Sequence, residues 1–132
     1  MNAHSGLERW HRVMADGHSP AGLAAIIHPD AVFHSPVVHT PQRGRDLVVA
    51  YLAAAGQTLG NDSFRYVREL VQGDDAMLEF VTEMEGITVN GVDIIRFDDD
   101  GMIVDFKVMV RPLKAVNKVW DMMAAQLERS KG

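Results

Sequence analysis

The chain contains no cysteine, so thiol chemistry is excluded, and the groups weighed for proton transfer or metal binding are its histidines, carboxylates and hydroxyls. Without thiols it has neither a disulfide framework nor a thiolate ligand or nucleophile. The histidines stand at positions 4, 11, 18, 28, 34 and 39, and no pair has the HxxxH spacing that sets two imidazoles on one helical face. No metal site and no cofactor are expected. Asp98-Asp99-Asp100-Gly101 lacks the alternating ligands and terminal glutamate of a calcium loop, and it reads as a hairpin turn. Two places remain where chemistry could reside. One is Asp93, in Val92-Asp93-Ile94-Ile95-Arg96-Phe97, where a period of two puts the carboxyl on the same strand face as Ile95 and Phe97. The other is the proline-bounded stretch His34-Ser35-Pro36-Val37-Val38-His39.

The elements that must position these groups fall into two halves. Leu7, Trp10, His11 and Met14 recur at helical spacing behind the Ser5/Glu8 capping pattern, giving a helix over about 6–16 that stops at Gly17. Ser19-Pro20 opens a second, short helix carrying Leu23, Ile26 and Ile27, which His28-Pro29 should end. A short strand is expected from Asp30 to Val38, with Pro36 at an edge or bulge, and a third helix from Asp46 to about Thr58. From Ser63 onward the apolar period becomes two, most clearly in Met77 to Glu85, where Leu78, Phe80, Thr82 and Met84 share a face. The last strand turns Val104, Phe106, Val108 and Val110 the same way, with Asp105, Lys107 and Met109 opposite. Asn90-Gly91 and Gly86 compete for one hairpin turn. Pro112 opens a final helix with Leu113, Val116, Val119, Trp120, Met123 and Leu127 on its apolar stripe.

Composition sets the class. At 132 residues, with 47% hydrophobic and 23% charged residues, the chain can bury one core, so residues 1–132 are read as a single globular domain. Thirteen basic against eighteen acidic residues give a net charge of -5, which argues against nucleic acid as a partner. The N-terminus shows no basic region followed by an apolar run, and no stretch reaches the roughly 18 apolar residues of a membrane span. A cytoplasmic protein with no membrane contact is the expectation.

Helices with one interposed strand, followed by a long-stranded sheet, resemble the cone-shaped fold of the nuclear transport factor two-like superfamily. The sharpest matches are Pro29-Asp30-Ala31-Val32-Phe33-His34-Ser35-Pro36-Val37 with Gly44 downstream, and Val92 to Phe97 followed by Asp100-Gly101-Met102-Ile103. The implied architecture is α+β: three N-terminal helices packed on a strongly curved antiparallel or mixed sheet, plus a C-terminal helix. This superfamily includes ketosteroid isomerases, SnoaL-like cyclases and limonene epoxide hydrolases. By resemblance to the steroid isomerases, Asp93 is the late-strand acid facing inward, Trp10 stands where a tyrosine donates, and Ser35 stands where a carboxylate shuttles the proton. A serine hydroxyl is too weak an acid to replace that base. Limonene epoxide hydrolases need a second carboxylate near Val108, which is missing.

If Asp93 faces inward among apolar neighbours, its charged form loses water, its pKa rises, and the neutral acid can donate a hydrogen bond. The same carboxyl could instead be a structural partner for a backbone group or Trp10. Continuing the alternation from an inward Ser35 brings Phe33, Val37 and His39 to the same face, making His39 the candidate base and leaving His34 out of phase. The expected function is binding of a small, mostly apolar molecule in an internal cavity, with proton transfer of the isomerase, cyclase or dehydratase kind by Asp93 and His39. The expected ligand contacts are Trp10, Met14, Ser35, Tyr51, Phe80, Thr82, Phe106 and Val108. The alternative is a non-catalytic ligand-binding or protein-interaction domain. Outward Val81, Ile94 and Met109 suggest a homodimer through the outer sheet face.

Overall fold

The computed structural model describes the backbone of residues 2–131 and the side chains of residues 3–125. Its elements are α1 (Asn2–Ala15), α2 (Pro20–Ile26), β1 (Ile27–His34), β2 (Gln42–Arg43), α3 (Arg45–Leu59), β3 (Arg65–Gln72), β4 (Asp75–Met84), β5 (Ile87–Phe97), β6 (Ile103–Arg111) and α4 (Leu113–Lys131). They form the expected α+β fold, with one short strand, β2, added between β1 and α3.

Local chemistry explains most of the element boundaries. Ser19 caps α2, its hydroxyl accepting from the Gly22 N–H at 3.0 Å, with Pro20 at the first helical position. α1 ends in paired hydrogen bonds from Gly17 N to Met14 O and from His18 N to Val13 O, both 3.1 Å, the bonding pattern of a Schellman cap. α1 starts earlier than its expected Ser5 cap, which places Ser5 inside the helix. The largest shift concerns β1, which begins at Ile27, directly after α2, and ends at His34. Pro29 is tolerated because the pairing of β1 with β6 breaks register between Ile27 and Val32. The strand stops where Ser35 Oγ accepts from Val37 N and Val38 N, at 3.1 and 3.3 Å, turning the chain.

The sheet order is β2-β1-β6-β5-β4-β3, parallel between β1 and β6 and antiparallel elsewhere. The β4–β5 turn is made by Glu85 and Gly86, with φ of 49° and 82°, the two left-handed residues of a tight hairpin. Asn90-Gly91 therefore lies within β5, with Gly91 opposite Phe80. Register breaks in β3, β1 and the β5–β6 pair bend the strands over the helices. The break between Arg96 and Phe97 changes the phase of β6: Ile103 is buried beside Phe97, and Val104, expected inward, is only half-buried.

Leu78, Phe80, Thr82 and Met84 of β4 and Phe106 and Val108 of β6 are buried beneath the helices, with Phe33 of β1 and Ile95 and Phe97 of β5. On α4 the buried residues are Ala115, Val119 and Met123, whereas Leu113 and Trp120, expected on the buried stripe, are exposed. The side chain of Leu127 lies outside the described residues. Met109 on the far face of the sheet is exposed, and Val81 and Ile94 are half-buried. No helix among the described residues is long and apolar enough to cross a membrane.

Candidate functional site

Asp93 sits mid-strand in β5, between Leu78 of β4 and Val108 of β6, and is only 6% exposed. Tyr66 reaches it from β3: its hydroxyl donates to Asp93 Oδ2 at 3.0 Å. Trp10 Nε1–H in turn donates to Tyr66 Oη at 3.1 Å, and Met14 Sδ lies 3.0 Å from the same oxygen. The indole occupies a tyrosine lone pair, which leaves the phenolic proton for Asp93. Burial pushes the Asp93 carboxyl up to about 7, a rise only partly offset by the Tyr66 hydrogen bond. Tyr66 is raised strongly, first by burial and then by the neighbouring Asp93 charge, so it stays a neutral donor. Among the described residues, the Tyr66 hydroxyl anchors one oxygen of the Asp93 carboxyl, Oδ2.

These groups border a pocket of about 240 Å3. That is below the range of roughly 300–1,000 Å3 typical of drug-sized ligand sites, so the space suits a small molecule. Trp10 and Met14 of α1, Tyr51 of α3, Phe80 of β4, and Phe106 and Val108 of β6 form apolar walls, and Ser35 closes one side with Val37 and Val38. α4 of the same chain contributes Val119, Trp120 and Met123. Trp10 packs against Phe106 with ring centroids 5.0 Å apart, and Tyr51 against Phe33 at 5.4 Å. Of the residues singled out from the sequence, Asp93, Trp10, Met14, Ser35, Tyr51, Phe80, Phe106 and Val108 all line this space.

Two do not. His39 is exposed and outside the pocket lining, because β1 ends at His34 and the Ser35 turn breaks the alternation that would have carried it inward. Thr82 is buried, but its hydroxyl donates to Leu59 O at 3.2 Å and meets Ser63 Oγ at 3.1 Å, outside the lining. His34 pairs with Asp105 at 2.9 Å, away from the pocket. Trp10, weighed as a direct partner for Asp93, acts through Tyr66 instead.

Two polar lining residues escaped the sequence reading. Tyr66 lies on the edge strand β3, directly opposite Phe80 and just before a register break, so extending the inward phase of Phe80 across the β3–β4 pair would have found it. His18 follows the Gly17 stop and lines the pocket from the loop between α1 and α2, where no periodicity points to it. Its imidazole is held below its ordinary pKa by burial, and among the described residues its ring makes no hydrogen bond. Among the described residues there is no cluster of three or more His, Asp or Glu arranged to hold a metal ion.

The model of the SnoaL-like domain matches residues 7–106 of this chain. A steroid delta-isomerase from Pseudomonas aeruginosa is similar at 38% identity and a TM-score of 0.90, covering 98% of this chain and 93% of that one. An uncharacterized protein with a cystatin-like fold from Silicibacter pomeroyi DSS-3 is 32% identical at a TM-score of 0.86, covering 96% of this chain and 87% of that one. An NTF2-like protein of unknown function from Mesorhizobium loti shares the fold at 24% identity and a TM-score of 0.70, covering 85% and 95% of the two chains. No curated protein matches the sequence. With most of its length matched and its helices, mixed sheet and inward late-strand acid arranged as described, the chain belongs to the SnoaL-like domain family.

Proposed function

We propose that this chain binds a small, mostly apolar molecule bearing a carbonyl or hydroxyl group and transfers a proton on it, with Asp93 as acid or oxyanion-stabilising donor. The observation that carries this reading is one buried carboxyl group, anchored on one oxygen by Tyr66, in a pocket with otherwise mostly apolar walls. A carboxyl raised to about 7 exchanges its proton near neutral pH, which general acid–base catalysis requires. Similarity to a steroid delta-isomerase favours carbonyl chemistry of the isomerase, cyclase or dehydratase kind. A non-catalytic carrier is the second reading. It is favoured by Ser35, whose hydroxyl stands at the position of a proton-shuttling carboxylate and is engaged by Val37 N and Val38 N.

Hydrogen–deuterium exchange at the α-carbons of 2-tetralone, an apolar enolisable ketone, separates the two. Exchange accelerated by the wild-type protein and lost in Asp93→Asn supports catalysis. Binding without exchange leaves the carrier reading, and absence of both removes the pocket from consideration for such ketones. Native mass spectrometry of freshly purified protein would identify a retained molecule directly.

A further inference from the structure

Proton transfer at carbon needs a base as well as an acid, and neither His39 nor Ser35 meets that need. We propose that His18 is this base; the inference rests on the pocket reading above. His18 is a non-glycine residue with φ of 57°, directly after Gly17 with φ of 89°, so the chain holds a side chain in the left-handed region that most residues avoid. The Schellman cap of α1 holds that backbone, and the imidazole lines the pocket.

Two neighbours fix the ring. Trp10 meets it edge-on, with centroids 6.0 Å apart. On α3 the residue against it is Gly56, where a Cβ would stand 2.6 Å from His18 Cγ and 3.0 Å from Nδ1. A mid-helix glycine is destabilising relative to alanine, and here its absent side chain is the space the imidazole occupies. Trp10 therefore touches both polar ends of the site, holding Tyr66 by its N–H and His18 by its ring. Desolvation lowers the pKa of His18, which keeps the ring neutral and able to accept a proton.

In the resulting step, neutral His18 removes a proton from the carbon beside a carbonyl. The C–H electron pair becomes the enol double bond, and the carbonyl oxygen takes the proton of neutral Asp93. Imidazolium, enol and carboxylate balance the ketone, imidazole and carboxylic acid that began the step. Reversal returns a proton to carbon, and in D2O the exchanged imidazolium returns deuterium.

The test is α-carbon exchange of 2-tetralone in D2O followed by proton NMR, with binding followed in parallel by tryptophan fluorescence. His18→Asn keeps a side chain that tolerates the left-handed backbone and should slow exchange roughly a hundredfold, the scale of a lost general base, with binding retained. Gly56→Ala leaves His18 in the chain but displaces its ring, and should lower exchange in the same direction while favouring the helix. This second variant keeps the test decisive if the first fails to fold. If both variants exchange at the wild-type rate while Asp93→Asn is inactive, His18 is not the base although the pocket reading stands. If the wild-type protein neither binds nor exchanges the ketone, both inferences fall.

Discussion

Replacing Tyr66 by phenylalanine removes one hydroxyl and should change how stability depends on pH. In the folded chain the Asp93 carboxyl lies at about 7, against 3.8 for an unperturbed carboxyl, because burial removes water from its charged form. Between those two values the folded protein holds a proton that the unfolded chain has released. Asp93 therefore contributes stability that falls as pH rises through this window, by a total on the order of 4 kcal/mol for about three pH units. The Tyr66 hydrogen bond limits that fall by favouring the carboxylate. A hydrogen bond to a charged group is worth about 1.5–3 kcal/mol, so its loss should raise the Asp93 pKa by a further one to two units or so. Urea denaturation followed by circular dichroism from pH 4 to 9 in wild type, Tyr66→Phe and Asp93→Asn reads this directly. The wild type should lose stability relative to Asp93→Asn up to about pH 7, and Tyr66→Phe should go on losing it above that. Parallel profiles for the wild type and Asp93→Asn would refute the buried-acid account, since the other titrating groups are common to both proteins.

Trp10→Phe removes the N–H bound to Tyr66 Oη and part of the packing on Phe106, and should lower unfolding free energy by about 1–3 kcal/mol in urea titrations. Ser19→Ala removes the cap of α2 and should cost about 1 kcal/mol by the same measurement, without changing ketone binding. Leu70, Met77 and Met109 are exposed on the outer sheet face, and we expect a second copy of the chain to cover them. Light scattering after size exclusion should then give a dimer mass for the wild type and a monomer mass for Met109→Asp; a monomeric wild type would dismiss the idea.

Strands were the most legible part of the fold because their burial repeats over many residues. Leu78, Phe80, Thr82 and Met84 alternate with acidic or half-buried positions, and all four are buried. The same rule failed where the backbone changes phase. Val104 lost its inward position to Ile103 at a register break, and β1 ended before the alternation could reach His39. Trp120 illustrates a different ambiguity, since helical spacing marks a stripe without saying whether its edge meets the core or the mouth of a pocket. Within the site, Asp93 was visible through its resemblance to a late-strand acid. Tyr66 and His18 were not: the inward phase of Phe80 reaches Tyr66 only once the β3–β4 register is known, and His18 sits on a helix cap outside any repeat.

The parallel pairing of β1 with β6 has a consequence for synthesis. Ile27 meets Ile103 and Phe33 meets Phe106, so the first long strand has no companion at its inner edge until more than seventy further residues have emerged. The hairpins formed by β3 to β6 can zip locally, but the N-terminal third must wait and then close a long loop to dock, a slow kind of step. Trp10 and His18 lie near the start of the chain and Trp120 near its end. A ribosome-bound fragment lacking the last helix would therefore present an open, greasy trough instead of a finished binding chamber.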